Sequence, residues 1–308
     1  FMHSCYGLMV KVKIPASSAN MGAGFDALGV ALNLYSRLEV EETSGGLEIN
    51  TLNAVSFVPK DETNLIYKAM SKVFECVGYK PEGIKITQES GIPMTRGLGS
   101  SSACIIGGML AANVLSGRTL SYGEILNLAS QMEGHPDNAA PALYGGFCTS
   151  FFDGETVFTK SIKLNPKYRF AVMIPDYFVA TKKSRGVLPE NVPLHDASFN
   201  IAHASLFQAA LVNGDSELLK EAVKDRLHQQ YRKAYIDSFD EIFEKTYEAG
   251  SRATYLSGSG PTIISILDGG YAKFNAEMKE YFRENSHKWD CMILSVDNVG
   301  AVVSEVRR

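Results

Sequence analysis

The chain lacks most of what a secreted, membrane-spanning or nucleic-acid-binding protein would need. Its 308 residues hold five cysteines (Cys5, Cys76, Cys104, Cys148 and Cys291), an odd and widely spaced set with no Cys-x-x-Cys pair. Such a set builds neither a disulfide framework nor a structural zinc site, and it suits a reducing cytosol. Cys104 and Cys148 lie in apolar stretches and are expected to be buried thiols. The six histidines include no pair at i, i+4 metal-binding spacing. No run approaches the ~20 apolar residues that a bilayer-spanning helix requires. Lys and Arg total 30 against 34 Asp and Glu, a formal net charge of −4 with the signs interspersed, so no basic stripe is available to neutralise a phosphate backbone. The expectations are a cytoplasmic protein with neither a membrane nor nucleic acid as partner.

A further absence is more telling. Pro93-Met-Thr-Arg-Gly-Leu-Gly-Ser-Ser-Ser-Ala103 has the glycines and hydroxyls of a phosphate cradle but no lysine. A Walker A loop needs Gly-Lys-Ser/Thr after its second glycine, whereas Gly99 is followed by Ser100, Ser101 and Ser102, and the one cation, Arg96, precedes the glycines. A Rossmann fingerprint needs a third glycine where Ser102 stands and a turn straight off a strand. Here eight residues, 89 to 96, separate the strand expected at 84–88 from Gly97. What is left is a helix N-terminus, which carries about half a positive charge and holds a polyphosphate without a lysine. Taken alone, such a Gly/Ser run also fits a surface loop leading into a helix.

At this length two domains sharing a cleft are expected. Residues 1 to 8 are expected to be an added remnant or an alternative start and are set aside. A strand is expected from Val10 to Ile14, ending at Pro15, with a loop of small residues from Ala16 to Gly24. Further strands are expected at 28–40, 47–50 and 84–88. The spacing of Leu65, Ile66, Ala69, Met70, Val73, Phe74 and Val77 predicts an amphipathic helix stopped by Gly78. The cradle helix should run from 100 to 115. Ser121 and Glu124 form a capping box for a helix reaching Glu133, where Gly134 stops it. A composition change at Asn165-Pro166 marks the expected boundary. Beyond it, with the helices treated as one layer, the order is β-α-β-β-α-β, the ferredoxin-like arrangement.

Together with the cradle, the segments Pro15-Ala-Ser-Ser-Ala-Asn-Met-Gly-Ala-Gly-Phe-Asp-Ala-Leu-Gly29 and Leu256-Ser-Gly-Ser-Gly-Pro-Thr262 resemble the three signature motifs of the GHMP kinases. Within that superfamily, Asn20 with Gly22 to Asp26, Arg96 to Ser102, and Glu133-Gly-His-Pro-Asp-Asn-Ala-Ala-Pro-Ala142 are most like the homoserine kinases. The resemblance covers essentially 9–308. It implies an α+β, two-domain fold: a ribosomal-S5-domain-2-like, ATP-binding N-terminal domain at 9–165 and a ferredoxin-like C-terminal domain at 166–308, with the active site between them.

The activity so implied is transfer of the ATP γ-phosphoryl group to the side-chain hydroxyl of L-homoserine in threonine biosynthesis, with ATP and Mg²⁺ as cofactors. By resemblance, the nucleotide would meet Asn64, Pro93, Arg96, Gly97, Leu98, Gly99, Ser100, Ser101, Ser102, Ala103, Gly258 and Ser259, and Ser101 and Glu133 would hold Mg²⁺. Homoserine would be held by Asn20, Asp26, His135, Asn138, Arg185 and Arg232, with Asp26 on its ammonium and the two arginines on its carboxylate. Arg185, Thr181, Asp137 and Asn138 are the candidate catalytic residues. Asp137 and Asn138 are adjacent, and the sequence leaves open which faces the hydroxyl. The expectation is that Asn138 orients it, that Asp137 is structural and that the proton leaves through the γ-phosphate. Lys182 and Lys183 are expected to be a solvated basic turn and His203 a helix-face residue. Another small alcohol (mevalonate, a sugar, shikimate) as acceptor, or a non-catalytic ligand sensor, are the alternatives. A homodimer is plausible by kinship, and feedback by threonine has no sequence feature behind it.

Overall fold

The computed structural model describes residues 7–53 and 58–307. The segment set aside at the start of the chain therefore lies largely outside the described residues. Eleven strands are described: β1 (Leu8–Ala19), β2 (Leu28–Thr43), β3 (Gly46–Thr51), β4 (Gly83–Ser90), β5 (Phe147–Phe152), β6 (Val157–Ile162), β7 (Arg169–Pro175), β8 (Ala253–Leu256), β9 (Ile263–Leu267), β10 (Trp289–Ser295) and β11 (Val302–Arg307). The helices are α1 (Leu65–Val77), α2 (Ser100–Leu115), α3 (Tyr122–Glu133), α4 (Ala139–Tyr144), α5 (Thr181–Arg185), α6 (Leu194–Asn213), α7 (Ser216–Ala222), α8 (Gln229–Arg232), α9 (Phe239–Glu248) and α10 (Tyr271–Glu284).

The strands form two sheets. The first runs β11-β1-β2-β4-β3, and β5 with β6 extends it from the other end of β2. Length makes this possible: β2 pairs with β4 through Ser36 to Thr43 and with β5 through Leu28 to Val30. Local signals set the helices on this sheet. Asn64 caps α1 by accepting from the amides of Ile66 and Tyr67, and Gly78 ends it in the left-handed conformation. The Ser121–Glu124 capping box and the Gly134 stop bound α3 as expected. Helix α2 is different in kind. It is buried almost all round, and its small residues allow close approach: a Cβ on Gly107 would meet Leu38 Cδ1 at 2.5 Å and one on Gly108 the Ile66 carbonyl at 2.6 Å.

The second sheet runs β10-β7-β9-β8, all antiparallel, the strand order of the ferredoxin-like arrangement. Alternation in its strands serves two separate cores. Phe170, Val172, Ile264 and Ile266 join the core of the first sheet together with Phe207, Leu211 and Leu219 of α6 and α7. Ala171, Met173, Ile263 and Leu267 face Ile242 of α9 and Phe274, Met278 and Phe282 of α10. The helices of this half thus form two layers rather than the single layer expected, because both faces of its strands are apolar.

Two further expectations are corrected. Strand β1 does not stop at Pro15. A register shift between Pro15 and Ala16 absorbs the missing amide hydrogen, and the strand continues to Ala19 against Gly29 to Leu32. Ala16 to Ala19 are small because this stretch is buried on both sides. A division at 165/166 also fails for the last strand: β11 pairs with β1 from Lys13↔Val302 to Leu8↔Arg307, so the chain's end completes the first sheet.

Candidate active site

Three loops meet where the sheets adjoin: residues 20–27 after β1, residues 91–99 before α2 and the turn 257–262 between β8 and β9. Backbone and small hydroxyls lock them together. Ser257 Oγ donates to the Gly97 carbonyl at 2.6 Å and lies 2.7 Å from Ser18 Oγ. The Gly258 amide donates to the Ala19 carbonyl at 3.0 Å, and Ser17 N donates to the Leu98 carbonyl at 3.2 Å. Gly97 and Gly99 both take positive φ, 76° and 69°. A Cβ on Gly97 would lie 2.3 Å from the Ser257 carbonyl oxygen, and one on Gly99 2.0 Å from Ser17 Oγ. The two glycines are therefore required by the fit of the loops to one another, beyond any approach to an anion.

Gly99 is the N-cap of α2 and supplies no side-chain cap, and the first turn has no acidic residue. The opening amides of a sixteen-residue helix are thus left for a ligand. They face a cavity of about 1100 Å³ lined in part by Val58, Ile92, Pro93, Met94, Met132 and Phe178, and in part by a dense set of charges. Every expected site residue lines this cavity except Ala103, which is 1% exposed and belongs to the core.

Several of them do other work than expected. Asn64 Oδ1 caps α1, and its Nδ2 donates to the Pro59 carbonyl at 2.8 Å, so both ends of its amide are engaged. Arg96 donates to the carbonyls of Met94, Pro175 and Asp176 at 3.0–3.2 Å and lies over Phe178, tying the loop to the end of β7. Asn20 donates to the Gly258 carbonyl at 2.9 Å and accepts from the Asp26 amide at 3.0 Å, which joins the first loop to the third. Ser102 donates to Glu133, and Ser101 also bonds that carboxylate. Burial in the cleft wall raises the pKa of Glu133 against these hydrogen bonds.

The charged part holds Asp26, His135, Asp137, Arg185 and Arg232. Arg185 donates to both oxygens of Asp26, at 3.1 and 2.5 Å, so the two groups expected to take opposite ends of the acceptor neutralise one another here. Asp137 is 2% exposed and accepts from His135 Nδ1 at 2.7 Å. Burial opposes charge on His135, but the hydrogen bond and charge of Asp137, with Asp26 and Glu133 beyond, push its pKa up to about 9. The imidazole is therefore protonated at neutral pH. Asp26, His135 and Asp137 bring their ligand atoms within 4.8 Å of one another, yet an imidazolium between two carboxylates is a poor cation site. Asn138 Oδ1 accepts from Ser17 Oγ at 2.9 Å, and Thr181 Oγ1 lies 3.3 Å from Ser259 Oγ.

Lys182 and Lys183 are exposed, Lys183 over the ring of Tyr235, and His203 bonds the Phe199 carbonyl of its own helix, all as expected. Ser17, Ser18, Ser184, Ser257, Phe25 and His228 were missed by sequence reasoning. The serines and Phe25 stood inside or beside the motifs as a findable signal. His228, a lone histidine in the turn just before α8, had none.

Residues 64–146 match the model of the GHMP kinases N terminal domain, and residues 207–283 match that of the GHMP kinases C terminal. A homoserine kinase of Caldicellulosiruptor saccharolyticus is 46% identical over 301 residues, 97% of this chain and 98% of that one. The chain belongs to the GHMP kinases. A homoserine kinase of Clostridium botulinum is 44% identical over 296 residues, 96% of this chain and 99% of that one. The crystal structure of homoserine kinase from Cytophaga hutchinsonii superposes with a TM-score of 0.86 at 27% identity, covering 99% of each chain. These relatives, matched over nearly the full length of the chain, are all homoserine kinases.

Proposed function

We propose that the protein transfers the γ-phosphoryl group of ATP to the side-chain hydroxyl of L-homoserine, giving O-phospho-L-homoserine and ADP. The observation that carries this is the placement in one cavity of an uncapped helix N-terminus and a paired carboxylate and guanidinium, in a chain 46% identical over nearly its full length to a homoserine kinase. Phosphoryl transfer asks the protein mainly for positioning and charge stabilisation. The amides that open α2 hold the phosphates. The hydroxyl of Ser101 and the carboxylate of Glu133 fit Mg²⁺, a hard cation that takes few protein oxygens and keeps phosphate oxygens and waters as its other ligands. When bound, Mg²⁺ neutralises charge on the phosphates.

The acceptor inserts into the Asp26–Arg185 pair: its ammonium replaces Arg185 on Asp26 and its carboxylate takes Arg185 and Arg232. Exchanging one internal ion pair for two favours a zwitterion, because an acceptor with only one charge leaves a protein charge unpaired in the cleft. Asn138, fixed by Ser17, orients the reacting hydroxyl. Asp137 is committed to His135 and serves to hold it. The acceptor oxygen bonds to phosphorus as the bridge to the β-phosphate breaks, and the hydroxyl proton leaves on the transferred phosphoryl group.

Among the described residues no helix is long and apolar enough to cross a membrane. A cytoplasmic location, a homodimer and a place in threonine biosynthesis belong to the same proposal and rest on kinship and on the unpaired cysteines. The test is ADP release with Mg-ATP across L-homoserine, L-threonine, mevalonate, galactose and shikimate. Preference for L-homoserine supports the proposal. Preference for an amine-free alcohol transfers it to another acceptor, and nucleotide binding without turnover points to a sensor.

A further inference from the structure

The first motif contains one large aromatic residue, Phe25, which packs into neither core cluster and stays partly exposed next to Asp26. The Cζ atoms of Arg185 and Arg232 lie 5.3 and 5.5 Å from its ring centroid. His228 stacks on the same ring at 5.5 Å with an interplanar angle of 28°. Three side chains from two distant segments thus converge on one ring, and two of them are guanidiniums that repel each other.

The imidazole does not add a third charge. Its Nε2 lies 2.8 Å from the Gly22 carbonyl, which can only accept, so the proton sits on Nε2. Nδ1 is then an acceptor, and Arg232 Nη1 donates to it at 3.2 Å. Burial lowers the pKa of the ring against the pull of the Asp225 carboxylate, 3.6 Å from Nε2. Arg232 also donates through Nε to the Ser184 carbonyl at 3.2 Å and through Nη1 to Gly258 at 3.0 Å. Asp225, accepting from the amides of Leu227, His228 and Gln229 at 2.8–3.0 Å, fixes the start of the short helix that carries Arg232. Among the described residues Arg185 has no such scaffold: beyond Asp26, the partner the acceptor's ammonium would take from it, its side chain meets the ring of Phe25.

We infer that Phe25 is a positioning residue for the acceptor: its ring, held by neutral His228, keeps the two guanidiniums side by side and retains Arg185 when the acceptor takes its carboxylate partner. The inference rests on the proposal that Arg185 and Arg232 receive the acceptor's carboxylate. A π face attracts each cation and offsets part of their mutual repulsion, which an aliphatic side chain of similar size does not do.

Phe25→Leu should raise the KM for L-homoserine by roughly three- to thirtyfold and leave the KM for ATP, the saturated kcat and the Tm close to wild type. Phe25→Tyr, which keeps the π face, should restore the homoserine KM. Replacement of Phe25 by phenylalanines with one, two and three ring fluorines keeps the shape while draining the face, and the homoserine KM should climb with each. A flat fluorine series, or a leucine variant with an unchanged homoserine KM, overturns the role of the ring. Arg185→Lys is the control: if it too leaves the homoserine KM unchanged, the acceptor reading fails instead.

Discussion

The two parts of the cleft are built on different principles. The part around Gly97 to Ser102 is made of backbone: amides, carbonyls and small hydroxyls from three loops that close on each other with no room for a Cβ at Gly97 or Gly99. The part around Asp26 and Arg185 is made of charged side chains from four separate segments, balanced by ion pairing, hydrogen bonds and one aromatic ring. On the proposed function, backbone geometry would bind what every reaction of such a kinase shares, a polyphosphate. Side-chain charge would bind what distinguishes one acceptor from another, with Arg232 tied to the loops through the Gly258 carbonyl.

Substitutions should separate the two parts. The largest effect is expected from Gly99→Ala, which demands φ +69° of an L-residue and puts a Cβ 2.0 Å from Ser17 Oγ. Strain and overpacking should together cost about 2–5 kcal/mol, seen as a Tm lowered by roughly 5–15 °C and loss of ATP binding. Next comes Arg232→Lys, which removes a planar fork held on three sides: kcat/KM for homoserine should fall about 100-fold in steady-state assays, while the KM for ATP stays constant. An ATP KM that rose in parallel would erase the distinction between the parts.

Asp26→Asn sharpens the comparison further. It should lower kcat/KM for homoserine by about 10- to 100-fold, yet improve binding of 4-hydroxybutyrate, because Arg185 is released from its internal partner. If Asp26 were merely one more contact, 4-hydroxybutyrate affinity measured by titration calorimetry would not change. The smallest effect lies outside both parts: Ser121→Ala breaks the capping box of α3 and should cost about 1 kcal/mol in chemical denaturation with no change in either KM.

The same contrast explains what could be read from the residue order. Helices α1, α2 and α3 were legible to within a residue, because their stops and caps are local: Asn64 and Gly78, Gly99, Ser121 with Glu124, and Gly134. The backbone part of the cleft was visible as motifs for the same reason, although not that its glycines are fixed by contact with Ser17 and Ser257. Strand β11 was missed because its pairing with β1 spans nearly the whole chain. The extension of β1 past Pro15 was missed because a proline reads as an end unless a register shift is known to accommodate it. On the charged side, the residues came from resemblance, but their mutual engagement did not: nothing local announces that Asp26 meets Arg185, that His135 is claimed by Asp137, or that His228 supports Arg232.

The most direct test of the account compares L-homoserine with 4-hydroxybutyrate, the same chain without the ammonium group, as acceptors at saturating Mg-ATP. The account predicts ADP release with a kcat/KM at least about 100-fold higher for homoserine, since the amine-free acid leaves Asp26 unpaired. Equal turnover of the two would contradict it, because the charged part of the cleft would then not be selecting a zwitterion.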